Sequence, residues 1–248
     1  MNRRNFLIST AALPLLHAIP EDAPYKTGKG WKALFNGRDV SGWHGADTET
    51  IKGGSEWMTV RSVRLDNANP KTLGFEAGQG AVLLNGPKEK TVNLVSDEKF
   101  GDCELYVEFM IPKGSNSGIY VQGLYEIQIF DSYGVAQPKD TDCGAIYHRW
   151  IDNKPVGGSA PRVNASLPPG SWQSFHAWFQ APRFTDGKKT QDALFIRVVQ
   201  NGKVVQENVS VNGGTRSHLP LEEASINPLM LQGDHGPVAF RNLYVRPI

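Results

Sequence analysis

Apolar and polar residues alternate with a period of two through most of this chain. In CELYVEFMI, Leu105, Val107, Phe109 and Ile111 interleave with Glu104, Tyr106 and Glu108, the pattern of a strand whose two faces meet different surroundings. The alternation recurs in SGIYVQG, in YEIQIF and in WQSFHAWFQA, where Phe175, Ala177 and Phe179 face away from Ser174, His176 and Trp178. ALFIRVVQNGKVVQENVSV is two such runs joined by Asn201-Gly202, a dipeptide suited to the positive φ angles of a tight hairpin. VAFRNLYVRPI closes the chain, with Phe240, Tyr244 and Arg246 expected on one face and Arg241, Leu243 and Val245 on the other. No segment keeps a helical period for a dozen residues, and 26 Gly and 16 Pro interrupt the chain at short intervals. The pattern predicts an all-β fold, a two-sheet antiparallel jelly-roll sandwich, as one domain over residues 31–248. Two long connections, GVAQPKDTDCG and IDNKPVGGSAPRVNASLPPGS, exceed ordinary loop lengths and are expected to carry function.

The beginning of the chain departs from this pattern. MNRRNFLISTAALPLLHA sets Arg3 and Arg4 before Phe6 and Leu7, then runs apolar to Leu16 and reaches Ala18. We read residues 1–18 as a twin-arginine signal peptide, and residues 19–30 as a leader. The protein is therefore expected to be exported, to the periplasm. Lys and Arg number 26 against 25 acids; without residues 1–18 the balance is 24 to 25, a net charge of −1. Such a balance gives no electrostatic footprint for nucleic acid. No later apolar run approaches the roughly 18 residues of a membrane span. Cys103 and Cys143 are the two cysteines; in an exported chain they are compatible with a disulfide or with two buried thiols.

The candidate chemistry gathers on LYEIQIFDSYG. Period two sets Glu126 and Gln128 on one face and Ile127 and Ile129 on the other. Asp131 is out of phase, and a bulge near Phe130 would turn it onto the Glu126 face. The strand before it offers Asn116, Tyr120 and Gln122 in the same alternation, and CGAIYHRW adds Tyr147 and Trp150. Amides, tyrosines and carboxylates together suit a sugar, with aromatic faces for the ring and hydrogen bonds for its hydroxyls. A solvated outer strand face is the alternative. LMLQGDHG brings Gln232, Asp234 and His235 to a glycine turn, and Arg241 follows. A histidine there can serve as a general base, since its ordinary pKa near 6.5 suits proton exchange at neutral pH. No cofactor is predicted. HExxH, paired CxxC and a complete calcium loop are missing from the sequence, so a divalent metal stays open but unsupported. G-x-S-x-G, P-loop and dinucleotide fingerprints are missing as well.

WKALFNGRDVSGWHG, FGDCELYVEFMIP, NSGIYVQGLYEIQIFDSYG, CGAIYHRW, LPPGSWQSF, APRF and LQGDHGPVAFRNLYVRPI together resemble the 3-keto-disaccharide hydrolase family, over roughly Gly30 to Ile248. The resemblance implies a concanavalin A-like jelly roll and a Cys103–Cys143 disulfide. It implies action on glycosides whose C3 hydroxyl a partner sugar 3-dehydrogenase has oxidised to a ketone. The ketone acidifies the C2 proton, so a base can form an enediolate, the C1 aglycone can leave, and water can add. On this resemblance Glu126 or His235 is the base, Asp131 orients it or shares the proton, and Gln128, Tyr147 and Arg241 hold sugar oxygens. Arg241 is equally readable as the ion-pair partner of an acid on a neighbouring strand. The same fold hosts retaining glucanases with a Glu-x-Asp-x-x-Glu strand. Here the corresponding positions are Glu126, Gln128 and Asp131, with an amide in the centre and the shorter acid third. A third reading is a non-catalytic carbohydrate-binding domain using Trp150, Trp172 and Trp178.

Overall fold

The computed structural model describes residues 23–248, apart from 87 and 89. The expected twin-arginine signal peptide, residues 1–18, lies outside the described residues. Two antiparallel sheets form the sandwich. The larger has nine strands, in spatial order Lys203–Val211, Ala193–Gln200, Gln173–Gln180, Cys103–Met110, Ala239–Pro247, Val82–Leu84, Met58–Leu65 and Leu73–Ala77, with Lys32–Ala33 added against Ala239–Pro247. The smaller has five: Trp43–Ala46, Asn93–Phe100, Asn227–Leu231, Asn116–Val121 and Tyr125–Phe130. Arg149–Ile151 with Lys154–Val156, and Arg183–Thr185 with Lys188–Gln191, are separate two-stranded ribbons. Among the described residues, the one α-helix is the single turn Pro24–Thr27, and no helix is long and apolar enough to cross a membrane. This is the all-β jelly-roll sandwich that the alternation predicts.

The core lies where the two inner faces meet. Leu105, Val107, Phe109, Phe175, Ala177, Phe179 and Phe195 of the large sheet pack against Leu94, Ile119, Val121, Ile127, Ile129 and Leu231 of the small one. Asn201 (φ 49°) and Gly202 (φ 80°) form the expected hairpin turn between Ala193–Gln200 and Lys203–Val211. The last strand differs from strict alternation. Asn242 adopts φ 50°, and the register against Cys103–Met110 shifts between Arg241 and Tyr244. That bulge turns Leu243 and Val245 inward with Phe240, and sends Tyr244 outward.

The outer face of the large sheet is also covered. Glu104, Tyr106 and Glu108 are buried, because the stretch following Ala23 crosses them. Tyr25 stacks on Tyr244 at 3.9 Å and tilts against Tyr106, so the described part of the expected leader packs on the domain. Glu104 is neutralised by Arg246 and accepts from His176 Nε2 at 2.6 Å, a ring whose pKa burial pushes down. Glu108 accepts from Arg241 Nε at 2.6 Å and from the Tyr106 hydroxyl at 3.1 Å. Trp178, a candidate sugar platform, packs on the His176 ring at this face. Buried carboxylates persist only with such partners.

Cys103 and Cys143 are free, buried thiols rather than a disulfide. Cys103 is opposite Phe179. Cys143 Sγ accepts from Gln200 Nε2 at 3.3 Å, and Gln200 is opposite Phe175. Phe175 and Phe179 are four positions apart, about 13 Å along an extended strand, with Gln200 and Cys103 on opposite sides of it. Disulfide geometry wants Cα atoms about 4.4–6.8 Å apart. Burial pushes both thiols up to about 12, which makes them poor nucleophiles.

Candidate active site

A cavity of about 660 Å³ opens on the outer face of the five-stranded sheet, a size suited to a small ligand. Its floor follows from one register. Tyr125–Phe130 pairs without interruption with Asn116–Val121: Tyr120 is opposite Glu126, Gly118 opposite Gln128 and Asn116 opposite Phe130. Ile127 and Ile129 point into the core, so Glu126 and Gln128 must point the other way, into the cavity. Asn116 and Tyr120 follow from the adjacent strand, and Gln232 and His235 from the turn after Asn227–Leu231.

Two outer segments close the walls. Backbone bonds from Gln128 N to Ala145 O (2.9 Å) and from Tyr147 N to Glu126 O (3.1 Å) lay residues 144–147 along the edge strand, which brings Tyr147 to the cavity. Thr215 donates through its hydroxyl to Leu124 O and accepts from Glu126 N. The chain beyond it then delivers Arg216 and His218. The Arg216 guanidinium lies over the Trp150 ring at 4.0 Å. Trp150 is 42% exposed but outside the cavity lining; it supports Arg216.

Several expected site residues serve elsewhere. The strand has no bulge at Phe130, so Asp131 leaves the sheet. Its Oδ2 accepts from Gly114 N at 2.8 Å, which ties the neighbouring turn. Gln122, at φ 56°, donates to Phe100 O and Ser225 O and anchors a turn below the site. Arg241 is on the other sheet, paired with Glu108 and stacked on Trp172 at 4.1 Å. The ion-pair alternative for Arg241 therefore holds.

The electrostatics divide the cavity. Glu126 is 3% exposed, and burial pushes its pKa up to about 8; the nearby charge of Asp234 adds to this, while a hydrogen bond with Tyr120 offsets part of it. The carboxyl is therefore mainly protonated at neutral pH. Asp234 behaves oppositely. Burial works against its charge, but His235 and Thr48 together hold the carboxyl below its ordinary range. His235 Nδ1 meets Asp234 Oδ1 at 2.5 Å, which fixes the ring and leaves Nε2 for the cavity when Nδ1 carries the proton. Asn116 Oδ1, Gln128 Oε1 and Gln232 Oε1 are buried without a protein partner. Gln128 Nε2 donates to Thr141 O at 3.3 Å, so its orphan is an acceptor. Three unmet acceptors fit a ligand rich in hydroxyl donors. Among the described residues, no group of three or more His, Cys, Asp or Glu converges to hold a metal.

Arg216 and His218 lie outside every alternating segment of the sequence. Their signal was GGTRSHLP, an Arg and a His confined between paired glycines and a proline. Asp234 was visible beside His235, but without its ionisation state.

A candidate glycosyl hydrolase of Parabacteroides distasonis ATCC 8503 superposes with a TM-score of 0.62 at 26% identity, over 89% of this chain and 84% of that one. Another from the same organism gives 0.54 at 16% identity, over 88% and 94%. A third gives 0.53 at 20%, over 88% and 99%. The latter two speak to the fold alone. No curated protein matches the chain. Residues 30–246 match the 3-keto-alpha-glucoside-1,2-lyase-like domain, and the chain belongs to that family.

Proposed function

We propose that the protein cleaves α-glucosides already oxidised at C3, by eliminating the aglycone across C1 and C2 and hydrating the product. The observation that carries this reading is one cavity holding a buried, protonated carboxyl, Glu126, together with an ionised Asp234 bound to His235. Carboxyls driven apart in this way mark acid and base roles. His235 Nε2 takes the C2 proton. The C–H electron pair becomes the C2–C3 double bond, and the charge moves to the C3 oxygen. Arg216, held by Trp150 rather than by a carboxylate, donates to that oxygen. As the enolate collapses, the C1–O bond breaks and Glu126 gives its proton to the departing oxygen. Water then adds across C1 and C2: Glu126 takes one proton, the hydroxyl joins C1, and His235 returns a proton to C2. Both groups are restored. Asn116, Gln128 and Gln232 accept from the remaining sugar hydroxyls.

The 26% identical relative, a candidate glycosyl hydrolase, supports a glycoside as the class of substrate, and the family description supports C3 oxidation and the α configuration. A C3 ketone requires a sugar 3-dehydrogenase upstream. The twin-arginine segment supports export to the periplasm. The glucanase alternative is weakened, since the Asp131 carboxylate is tied to Gly114 N and does not line the cavity that holds Glu126. The test is release of a chromogenic aglycone from a 3-keto-α-glucoside beside its unoxidised parent. Release from the keto form alone is expected; equal release from both would return the protein to ordinary glycoside hydrolysis, and binding without release would make it a carbohydrate-binding domain.

A further inference from the structure

Gly118 is in the middle of a strand, and its φ is outside the left-handed region. A glycine there weakens the strand and meets no conformational demand. Space explains it. A Cβ built on Gly118 would be 2.2 Å from Glu126 Oε1, 2.9 Å from Cδ and 3.0 Å from Cγ. These three nearest atoms all belong to the end of one side chain, so an added methyl group meets Glu126 before any backbone. Gln128 is opposite Gly118 on one side, and Gln232 N donates to Gly118 O at 2.9 Å on the other. The carboxyl thus lies across a bare backbone, flanked by Gln128 and Gln232, two of the three cavity amides whose oxygens are unmet.

We infer that Gly118 is a positioning residue: its missing side chain makes the space in which the Glu126 carboxyl lies, and so sets where that group meets the leaving oxygen. The inference rests on the acid role proposed for Glu126. In Gly118→Ala the carboxyl must lift toward the cavity mouth and water. Restoring ordinary contact from 2.2 Å takes a shift of about 1 Å, and such a displacement at a reacting group costs about 100-fold in kcat, with KM within about threefold because the amides stay in place.

The test pairs G118A with G118A/E126D, whose acid is shorter by one methylene and clears the added methyl. Urea midpoints and kcat against pH are measured for the wild type, both single variants and the double variant. The expected results are a midpoint loss in G118A that largely disappears when E126D is also present, the kcat loss above, and an alkaline limb moved to lower pH. An equal midpoint loss with and without E126D, failure of both G118A proteins to fold, or wild-type kcat and pH profile in G118A overturns the inference. A wild type inactive on the 3-keto-glucoside removes the proposed function instead, and the midpoint coupling then decides by itself whether Gly118 seats Glu126.

Discussion

Replacing Glu126 by Gln keeps the size of the side chain and removes its titration. Folded Glu126 holds its proton up to about pH 8, whereas its ordinary value is 4.5. Between those values the unfolded chain releases a proton that the folded one keeps, so this group's contribution to stability falls as pH rises, and levels off above about pH 8. Each pH unit in that window is worth about 1.4 kcal/mol. From pH 6 to pH 9 the wild type should therefore lose about 3 kcal/mol relative to Glu126→Gln. Every other titrating group is common to both proteins and cancels in the difference. Urea unfolding at half-unit steps of pH, analysed as midpoint times slope, measures it. A difference that stays flat across pH 6 to 9 would refute the buried, protonated carboxyl, and with it the acid role.

His235→Asn should lower kcat by about 10²–10⁴-fold, the usual worth of a positioned general base, with near-normal unfolding by urea as the control. Arg216→Lys should lower kcat about tenfold or more while retaining the charge, because a planar guanidinium stacked on Trp150 is not replaced by an ammonium; steady-state kinetics read this directly. Arg241→Ala should cost about 3–5 kcal/mol by leaving Glu108 buried and unpaired, yet keep kcat per folded molecule, since the pair is on the other sheet. Reductant should leave the urea midpoint unchanged, because Cys103 and Cys143 are separate thiols.

Much of the fold was legible because it is written in a period of two. YEIQIF could be read to its ends, and Ile127 and Ile129 going inward obliged Glu126 and Gln128 to go outward. What failed were single-residue departures from the period. Nothing in VAFRNLYVRPI distinguishes Asn242 at positive φ from a regular strand residue, whereas the bulge expected at Phe130 does not form: Asp131 finds its partner in the Gly114 amide instead. Gln122 and Arg241 share the alternation of the cavity-lining residues but face a turn and another sheet, and only the three-dimensional pairing separates them. Arg216 and His218 reach the cavity through Thr215, 89 positions from Glu126 along the chain. Long-range closure of that kind leaves no local pattern. Nor could the opposite ionisation of Glu126 and Asp234 be read, since burial set the first and a neighbouring histidine the second.

Proton abstraction from C2 is the step that separates this account from any direct displacement at C1. The most direct measurement is the rate of aglycone release from a 3-keto-α-glucoside deuterated at C2, beside the protiated compound, with the products followed in heavy water. Slower release from the deuterated substrate, with solvent deuterium at C2 of the hydrated product, is the expected result. Equal rates together with full retention of the original C2 hydrogen would rule out proton abstraction at C2.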